Sequence, residues 1–97
     1  MNRRPNPVYS PEYKALIAEV RAARVQAGIT QRVLAARLGK AASHVSMIEK
    51  GQRRLDSLEF YLIARALSVD ATALFRQVAE RLDRLCVPGH QLNPGEG

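Results

Sequence analysis

Apolar residues recur every three or four positions between residues 10 and 86, the spacing that places side chains on one face of an α-helix. No segment alternates apolar and polar residues over the length of a strand, and no Asn-Gly or Asp-Gly pair marks a hairpin. The sequence therefore predicts an all-α domain over residues 10–86. A flexible arm over residues 1–9 and a disordered tail over residues 87–97 are predicted to flank it.

Capping residues and glycines divide the predicted domain into five helices. Ser10 followed by Pro11 is typical of a helix start, and Gly28 is typical of a helix end. Asp56, with Glu59 three residues later, forms a capping-box pattern at the start of the fourth helix. The residues predicted to face inward from the first and fourth helices are Tyr13, Leu16, Ile17, Val20, Ala27, Phe60, Ile63, Ala64 and Leu67.

The second and third helices, over residues 30–51, form a candidate helix-turn-helix. Thr30 caps the second helix, Gly39 ends it, and Gly51 ends the third helix. Two short helices joined by a tight glycine turn are typical of this motif. The residues predicted to face the core are Leu34, Ala35, Leu38, Val45 and Ile48. The opposite face of the third helix carries short, mostly uncharged side chains, which suits insertion into a groove: Ala42, Ser43, His44, Ser46, Met47 and Lys50.

The last helix, predicted over residues 70–86 with Asp70 as its cap, carries a regular apolar seam. Its large apolar residues follow one another at spacings of three, four and three: Phe75, Val78, Leu82 and Leu85. We interpret this seam as a homodimer interface. The alternative is that the four residues complete the core of the domain itself.

Positive charge is concentrated in one third of the chain. The chain has 15 Lys and Arg against 9 Asp and Glu, a net charge of +6 and a pI of about 10.3. Residues 21–54 hold eight basic residues and one acidic residue, a net charge of +7, and the rest holds seven basic and eight acidic residues, a net charge of −1. Such a field attracts polyanions, of which nucleic acid is the commonest. A solubilising surface is the alternative, although it would more often mix the two signs.

The composition argues against several classes of protein. A chain of 97 residues has room for one domain. No apolar run approaches the roughly 20 residues that a membrane span needs, and no apolar stretch follows the charged N-terminal residues, so we expect no secretory signal. Cys86 has no partner for a disulfide, and one cysteine with two histidines cannot fill a structural zinc site. We therefore expect an intracellular domain without metal, cofactor, small-molecule ligand or catalytic centre.

The stretch Ala22–Leu74 resembles the XRE family, the phage-repressor-like (Cro type) helix-turn-helix domains. The resemblance rests on a glutamine that opens the second helix, a Leu-Ala pair within it, a glycine at the turn and an Ile-Glu-x-Gly motif. These residues are Gln31, Leu34, Ala35, Gly39, Ile48, Glu49 and Gly51. The resemblance implies a five-helix, lambda-repressor-like domain, here with an extended C-terminal helix. It also implies a protein that binds double-stranded operator DNA, usually as a dimer, and regulates transcription.

The resemblance assigns roles to individual residues. It makes Gln31 a phosphate contact, with a solvated polar residue as the alternative. The base-reading positions are held by Ala42, Ser43, Ser46 and Met47. The adjacent His44 either reaches the DNA or is simply solvated. The family's backbone-contacting loop corresponds to Lys50, Gln52, Arg53 and Arg54. Among the base-reading residues, Ser43 can donate to or accept from a base edge, and Ala42 and Met47 can touch a thymine methyl group.

The only acidic residue in the basic third, Glu49, has a structural role in the family, where it pairs with an arginine of the first helix. Arg24 holds that position, so we expect an Arg24–Glu49 ion pair that joins the first helix to the recognition helix.

Three positions depart from the family pattern. Lys40 replaces an apolar residue in the turn and would add a phosphate contact, Ala41 replaces the usual cap of the third helix, and Leu55 stands where many members have proline.

Together these features predict a cytoplasmic, nucleoid-associated, dimeric repressor of a bacterium or its phage that reads a two-fold operator. Two alternatives remain open. An antitoxin would share the DNA-binding fold and use its tail to bind a toxin, whose gene would lie nearby. A protein-interaction adaptor would have lost DNA binding, but Gln31 and the charge of +7 between residues 21 and 54 argue against it.

Overall fold

The computed structural model describes residues 10–85 and shows five α-helices over this part of the chain. They are α1 (Pro11–Gln26), α2 (Gln31–Arg37), α3 (Ala42–Glu49), α4 (Ser57–Ala66) and α5 (Ala71–Leu85). The same residues contain no strand, so the predicted all-α class and the number of helices are confirmed. The predicted arm, the predicted tail and Cys86 lie outside the described residues.

The helices begin where the capping residues predict. The Ser10 Oγ accepts a hydrogen bond from the Tyr13 N–H at 3.0 Å, and the Thr30 Oγ1 accepts one from the Val33 N–H at 3.1 Å. Asp56 and Glu59 form the complete capping box predicted for α4. At the start of α3, Ala41 has the extended backbone of an N-cap but makes no side-chain hydrogen bond, so the predicted weak cap is confirmed.

Four helices, α1 to α4, end in the same hydrogen-bonded turn, with a left-handed residue just after the last turn of helix. Gly28 (φ 73°) follows α1, Gly39 (φ 71°) follows α2 and Gly51 (φ 78°) follows α3, as the sequence predicts. After α4 this position is held by Ser68 (φ 62°), whose N–H donates to the Arg65 carbonyl while the Val69 N–H donates to the Ala64 carbonyl. Only glycine adopts this conformation without a steric penalty, so Ser68 carries strain that the three glycines do not.

The core lies where α1 to α4 meet, and most predicted core residues are buried. Its members are Ile17, Val20, Leu34, Ala35, Val45, Ile48, Leu55, Ile63 and Leu67. The prediction that Ala27 faces inward is wrong, because Ala27 is the exposed C-cap of α1, beyond the last helical turn. Leu55 is buried, and its N–H donates to the Tyr13 Oη at 2.7 Å. A proline at position 55 could not make this bond, so the departure from the family pattern supplies a contact between the α3–α4 loop and α1.

Helix α5 packs along α1 and contacts α4, which changes the interpretation of the predicted seam. Val78 is 0% exposed, so it belongs to the core of its own domain and cannot be part of a dimer interface. Phe75 is 50% exposed and packs edge to face on Phe60, with ring centroids 5.8 Å apart. Leu82 is half-buried and Leu85 is 44% exposed. The predicted four-residue seam is therefore wrong at Val78, because α1 covers that side of α5.

None of the helices between residues 10 and 85 combines the length and the hydropathy that crossing a membrane requires.

Candidate nucleic-acid interface

The orientation of α3 is fixed by two buried aliphatic residues. Val45 is 2% exposed and Ile48 is 1% exposed, which confirms that this side of α3 faces the core. At 100° per residue, the opposite side of the helix carries Ser43, Met47 and Lys50. All three are exposed, Met47 to 40%. The structure therefore brings these three predicted DNA-contacting residues together on one outward face.

The remaining candidates on α3 lie toward the edges of that face. Ala42 is exposed, and Ser46 is half-buried on the side next to Val45. His44 lies on the other edge, in a shallow groove that it lines with Lys40 and Glu59. Burial lowers the pKa of His44 below its ordinary value, and the nearby charges of Arg53 and Lys40 lower it further, partly opposed by Glu59. His44 therefore points toward the start of α4 rather than along the centre of the outward face.

Glu49, the last residue of α3, accepts three hydrogen bonds and lies close to one further cationic side chain. Arg24 donates from Nε to Oε2 at 2.6 Å and from a terminal nitrogen to Oε1 at 3.0 Å, which confirms the predicted ion pair. The side chains of Arg24 and Glu49 are only 10% and 5% exposed. Arg21 lies 3.7 Å away, and the amide of Gln31 donates to Oε1 at 2.8 Å. The carboxylate thus joins α1, the start of α2 and α3, and no charge is left uncompensated there.

The amide of Gln31 has a partner that the sequence does not reveal. One of its two amide hydrogens is used by Glu49. The other hydrogen is available to a phosphate oxygen at the start of α2, so the predicted phosphate contact can form together with the observed hydrogen bond to Glu49. The hydrogen bond to Glu49 also holds the Gln31 side chain in one orientation.

The loop after α3 folds back on the recognition helix. The N–H groups of Gln52 and Arg53 both donate to the Met47 carbonyl, at 2.8 and 3.2 Å. Lys50, Gln52 and Arg54 are exposed. Arg53 donates to the Glu59 Oε2 at 2.7 Å. On the other side of α3, Lys40 is exposed in the turn after α2. The predicted phosphate contacts thus border the outward face of α3 at both ends.

Not every basic residue between 21 and 54 belongs to this surface. Arg24 is buried against Glu49, and Arg37 donates to the Ala66 carbonyl at the end of α4 at 2.8 Å.

Two basic residues of α1 also lie near the outward face of α3: Lys14 and Arg21 line a groove together with Lys50. The sequence interpretation did not assign Lys14 or Arg21 to the site. Their spacing of seven residues, which places them on one side of α1, is the signal that could have found them.

A buried helix face, an exposed recognition face and a flanking basic loop define a helix-turn-helix DNA-binding domain. A family model described as helix-turn-helix matches residues 20–74, more than half of the chain. The chain belongs to this helix-turn-helix family, of the XRE type.

Two solved structures show the same fold. An XRE-family-like protein from Pseudomonas syringae pv. tomato str. DC3000 has 40% sequence identity and a TM-score of 0.70, over 77% of this chain and 92% of that chain. The restriction-modification controller protein C.Esp1396I, solved as a tetramer in complex with its natural 35 base-pair operator, has 23% identity and a TM-score of 0.68, over 75% of this chain and 96% of that chain. At this lower identity the likeness concerns the fold alone.

A curated relative is larger than this chain. The propionyl-CoA carboxylase regulator of Cereibacter sphaeroides is 34% identical over 65 residues. The match covers 67% of this chain but only 14% of the regulator. This chain therefore corresponds to one small part of that protein.

Proposed function

We propose that the chain acts as a transcriptional repressor on the nucleoid, binding a two-fold operator as a homodimer with α3 in the major groove. The supporting observation is the outward face of α3, where Ser43 and Met47 are exposed while Val45 and Ile48 hold the helix on the core. A major groove admits an α-helix, and short side chains on that face let the helix approach the base edges. In this arrangement Ala42, Ser43, Ser46 and Met47 read bases, and His44 lies at the rim.

The phosphate backbone would be contacted on both sides of α3. Lys50, Gln52 and Arg54 follow the recognition helix, and all three are exposed. On the other side, Lys40 lies in the turn and Gln31 opens α2 with one free amide hydrogen. Such contacts position the protein on DNA of any sequence, and the contacts of α3 supply the sequence preference.

A two-fold operator requires two copies of α3 about one DNA turn apart, roughly 34 Å, which a single domain cannot supply. We propose that the two copies meet through the exposed apolar residues of α5, Phe75 and Leu85, with Leu82 at the edge of the contact. Phe75 also borders an apolar groove that Leu16 and Leu55 line. A relative with the same fold is a tetramer on its operator, which supports assembly of several copies on DNA.

Selection of binding sites from random duplexes, followed by affinity measurements on variants, tests this function. We expect Ser43→Ala and Met47→Ala to change the preference at particular base pairs by about 1–3 kcal/mol and to leave thermal unfolding unchanged. Gln77→Ala on the exposed side of α5 is the control and should bind as wild type does. Loss of affinity by the same factor on every duplex would show that these side chains do not read sequence. Absence of binding to any duplex would favour the adaptor function.

A further inference from the structure

Two neighbouring arginines in the α3–α4 loop have different environments. Arg53 pairs with Glu59 at 2.7 Å, although its side chain is 42% exposed. Within residues 10–85, the neighbouring side chain of Arg54 has no acidic partner within 4 Å. The sequence alone does not distinguish these residues, because both are exposed arginines of the same loop.

The carboxylate that binds Arg53 is itself held in place. The Glu59 Oε1 accepts the Asp56 N–H at 3.1 Å, and the Asp56 Oδ1 accepts the Glu59 N–H at 2.8 Å. These reciprocal bonds are the capping box of α4, so the Glu59 side chain is fixed at the first turn of the helix. Each carboxylate oxygen therefore has one partner: Oε1 closes the cap and Oε2 binds Arg53.

Arg53 lies next to the surface that would contact DNA. Its N–H donates to the Met47 carbonyl, and Met47 is on the outward face of α3. The positive charge of Arg53 also lowers the pKa of His44 on α3. A DNA phosphate near Arg53 would therefore have to compete with a preformed, negatively charged acceptor.

We propose that Glu59 withholds the positive charge of Arg53 from the DNA backbone and so limits the affinity of the protein for DNA of any sequence. The inference rests on the proposed function, because it requires α3 and its loop to face DNA. An arginine already neutralised by a carboxylate displaces little of the counterion atmosphere around DNA, whereas Arg54 is free to do so. Glu59 is thus a positioning residue that acts through Arg53.

The variant Glu59→Gln separates the two roles of this side chain. Glutamine serves in capping boxes, so its carbonyl oxygen can keep the bond to the Asp56 N–H. Its amide nitrogen, which cannot accept a hydrogen bond, replaces the oxygen that binds Arg53. We expect tighter binding to a synthetic duplex of random sequence. The slope of log affinity against log salt should be steeper by about 0.9, so the gain over wild type falls about 3.5-fold when salt is raised four-fold.

A double-mutant cycle tests whether the effect passes through Arg53. In an Arg53→Ala background, Glu59→Gln should no longer steepen the slope. Glu80→Gln, at an exposed position on α5, removes the same charge elsewhere and should change affinity less. An equal gain in the Arg53→Ala background, or weaker binding by Glu59→Gln, would overturn the proposal.

Single arginine variants provide a second test that does not alter the cap. Arg54→Ala should flatten the salt slope by about 0.9, and Arg53→Ala should leave it nearly unchanged. Equal flattening by both variants would show that Arg53 contacts phosphate in spite of Glu59. If wild type binds no duplex at all, the proposed function itself fails. If wild type binds and Glu59→Gln behaves as wild type, only this inference fails.

Discussion

Glu49 shows how a nearly buried carboxylate can position a recognition helix. Its carboxylate is nearly buried and binds Arg24 through two hydrogen bonds, and the amide of Gln31 donates to the same group. A carboxylate in a basic region would repel phosphates if it were exposed. Buried and fully paired, it instead sets the position of α3 relative to α1 and the start of α2.

Removal of Arg24 should destabilise the fold strongly. Arg24→Ala leaves the buried carboxylate of Glu49 without its main partner, so we expect the free energy of unfolding to fall by about 3 kcal/mol. Arg21→Ala is the matched control, because the Arg21 side chain is 62% exposed and 3.7 Å from Glu49. It should cost less than about 1 kcal/mol. Urea unfolding measures both, and equal losses would show that Arg24 has no special role.

His44 should make stability depend on pH. Burial, aided by the charges of Arg53 and Lys40, lowers the pKa of His44 in the folded state, so the unfolded chain binds the proton more readily. The contribution of His44 to the free energy of unfolding is therefore fully present at pH values above the ordinary histidine pKa of about 6.5. It is lost as the pH falls through the lowered pKa of the folded state. Urea unfolding between pH 7.5 and pH 5 should show a smaller loss for His44→Gln than for wild type. Parallel curves for the two proteins would contradict this.

At the scale of helices, the ends are set by local hydrogen bonds, and two of the described ends lack the residue type that such an end usually has. Helix α3 has no side-chain cap, and the turn after α4 has a serine in a left-handed conformation. Helix α3 depends on its neighbours instead, through Val45 and Ile48 in the core and through Glu49. Tertiary packing, rather than the intrinsic helix propensity of its residues, therefore stabilises this short helix and fixes its orientation. Its outward side chains can then be chosen for recognition without loss of the helix.

Ser68→Gly should relieve the strain at the end of α4. Glycine adopts the left-handed conformation of Ser68 without a steric penalty, so we expect stability to rise by about 1 kcal/mol. Gly39→Ser is the reciprocal control: it places a side chain on a left-handed backbone with open space around it, so the cost should come from the backbone alone. Thermal unfolding should move in opposite directions for the two variants. A shift in the same direction would indicate that another contact of Ser68 matters more than its φ angle.

At the scale of the whole molecule, one domain presents one recognition helix, and the proposed operator requires two. The exposed apolar residues of α5 are the surface that we propose for the second copy. Val78 is excluded from it, since the domain's own core covers that residue completely. The remaining contact is thus smaller than a continuous seam, and assembly on DNA would contribute to its stability.

Polar substitutions at the exposed apolar positions of α5 should disrupt the proposed dimer and preserve the fold. We expect Phe75→Gln combined with Leu85→Glu to sediment as a folded monomer and to bind a two-fold operator more weakly than wild type. Val25→Glu is the control, because Val25 is 53% exposed but lies at the end of α1. It should remain dimeric. A double variant that stays dimeric and binds normally would place the interface elsewhere.

The sequence by itself determined the helices, their ends and most of their buried faces. Capping groups such as Ser10 and Thr30 act within three residues, and apolar periodicity is a property of a single helix, so both can be read locally. The exceptions are at Ala27 and Val78, where burial depends on where a helix ends or on which neighbour covers it.

Only the tertiary structure decided which charged residues face outward and which are neutralised. Arg24 meets Glu49 across 25 residues of sequence, and this pairing was expected from the family resemblance alone. The contact of Gln31 with Glu49 and the pairing of Arg53 with Glu59 had no such guide. These contacts depend on how α1, α2 and the α3–α4 loop cross. A sequence gives the charge of each side chain, but the crossing of helices sets the distance between charges, and that distance determines what remains available to DNA.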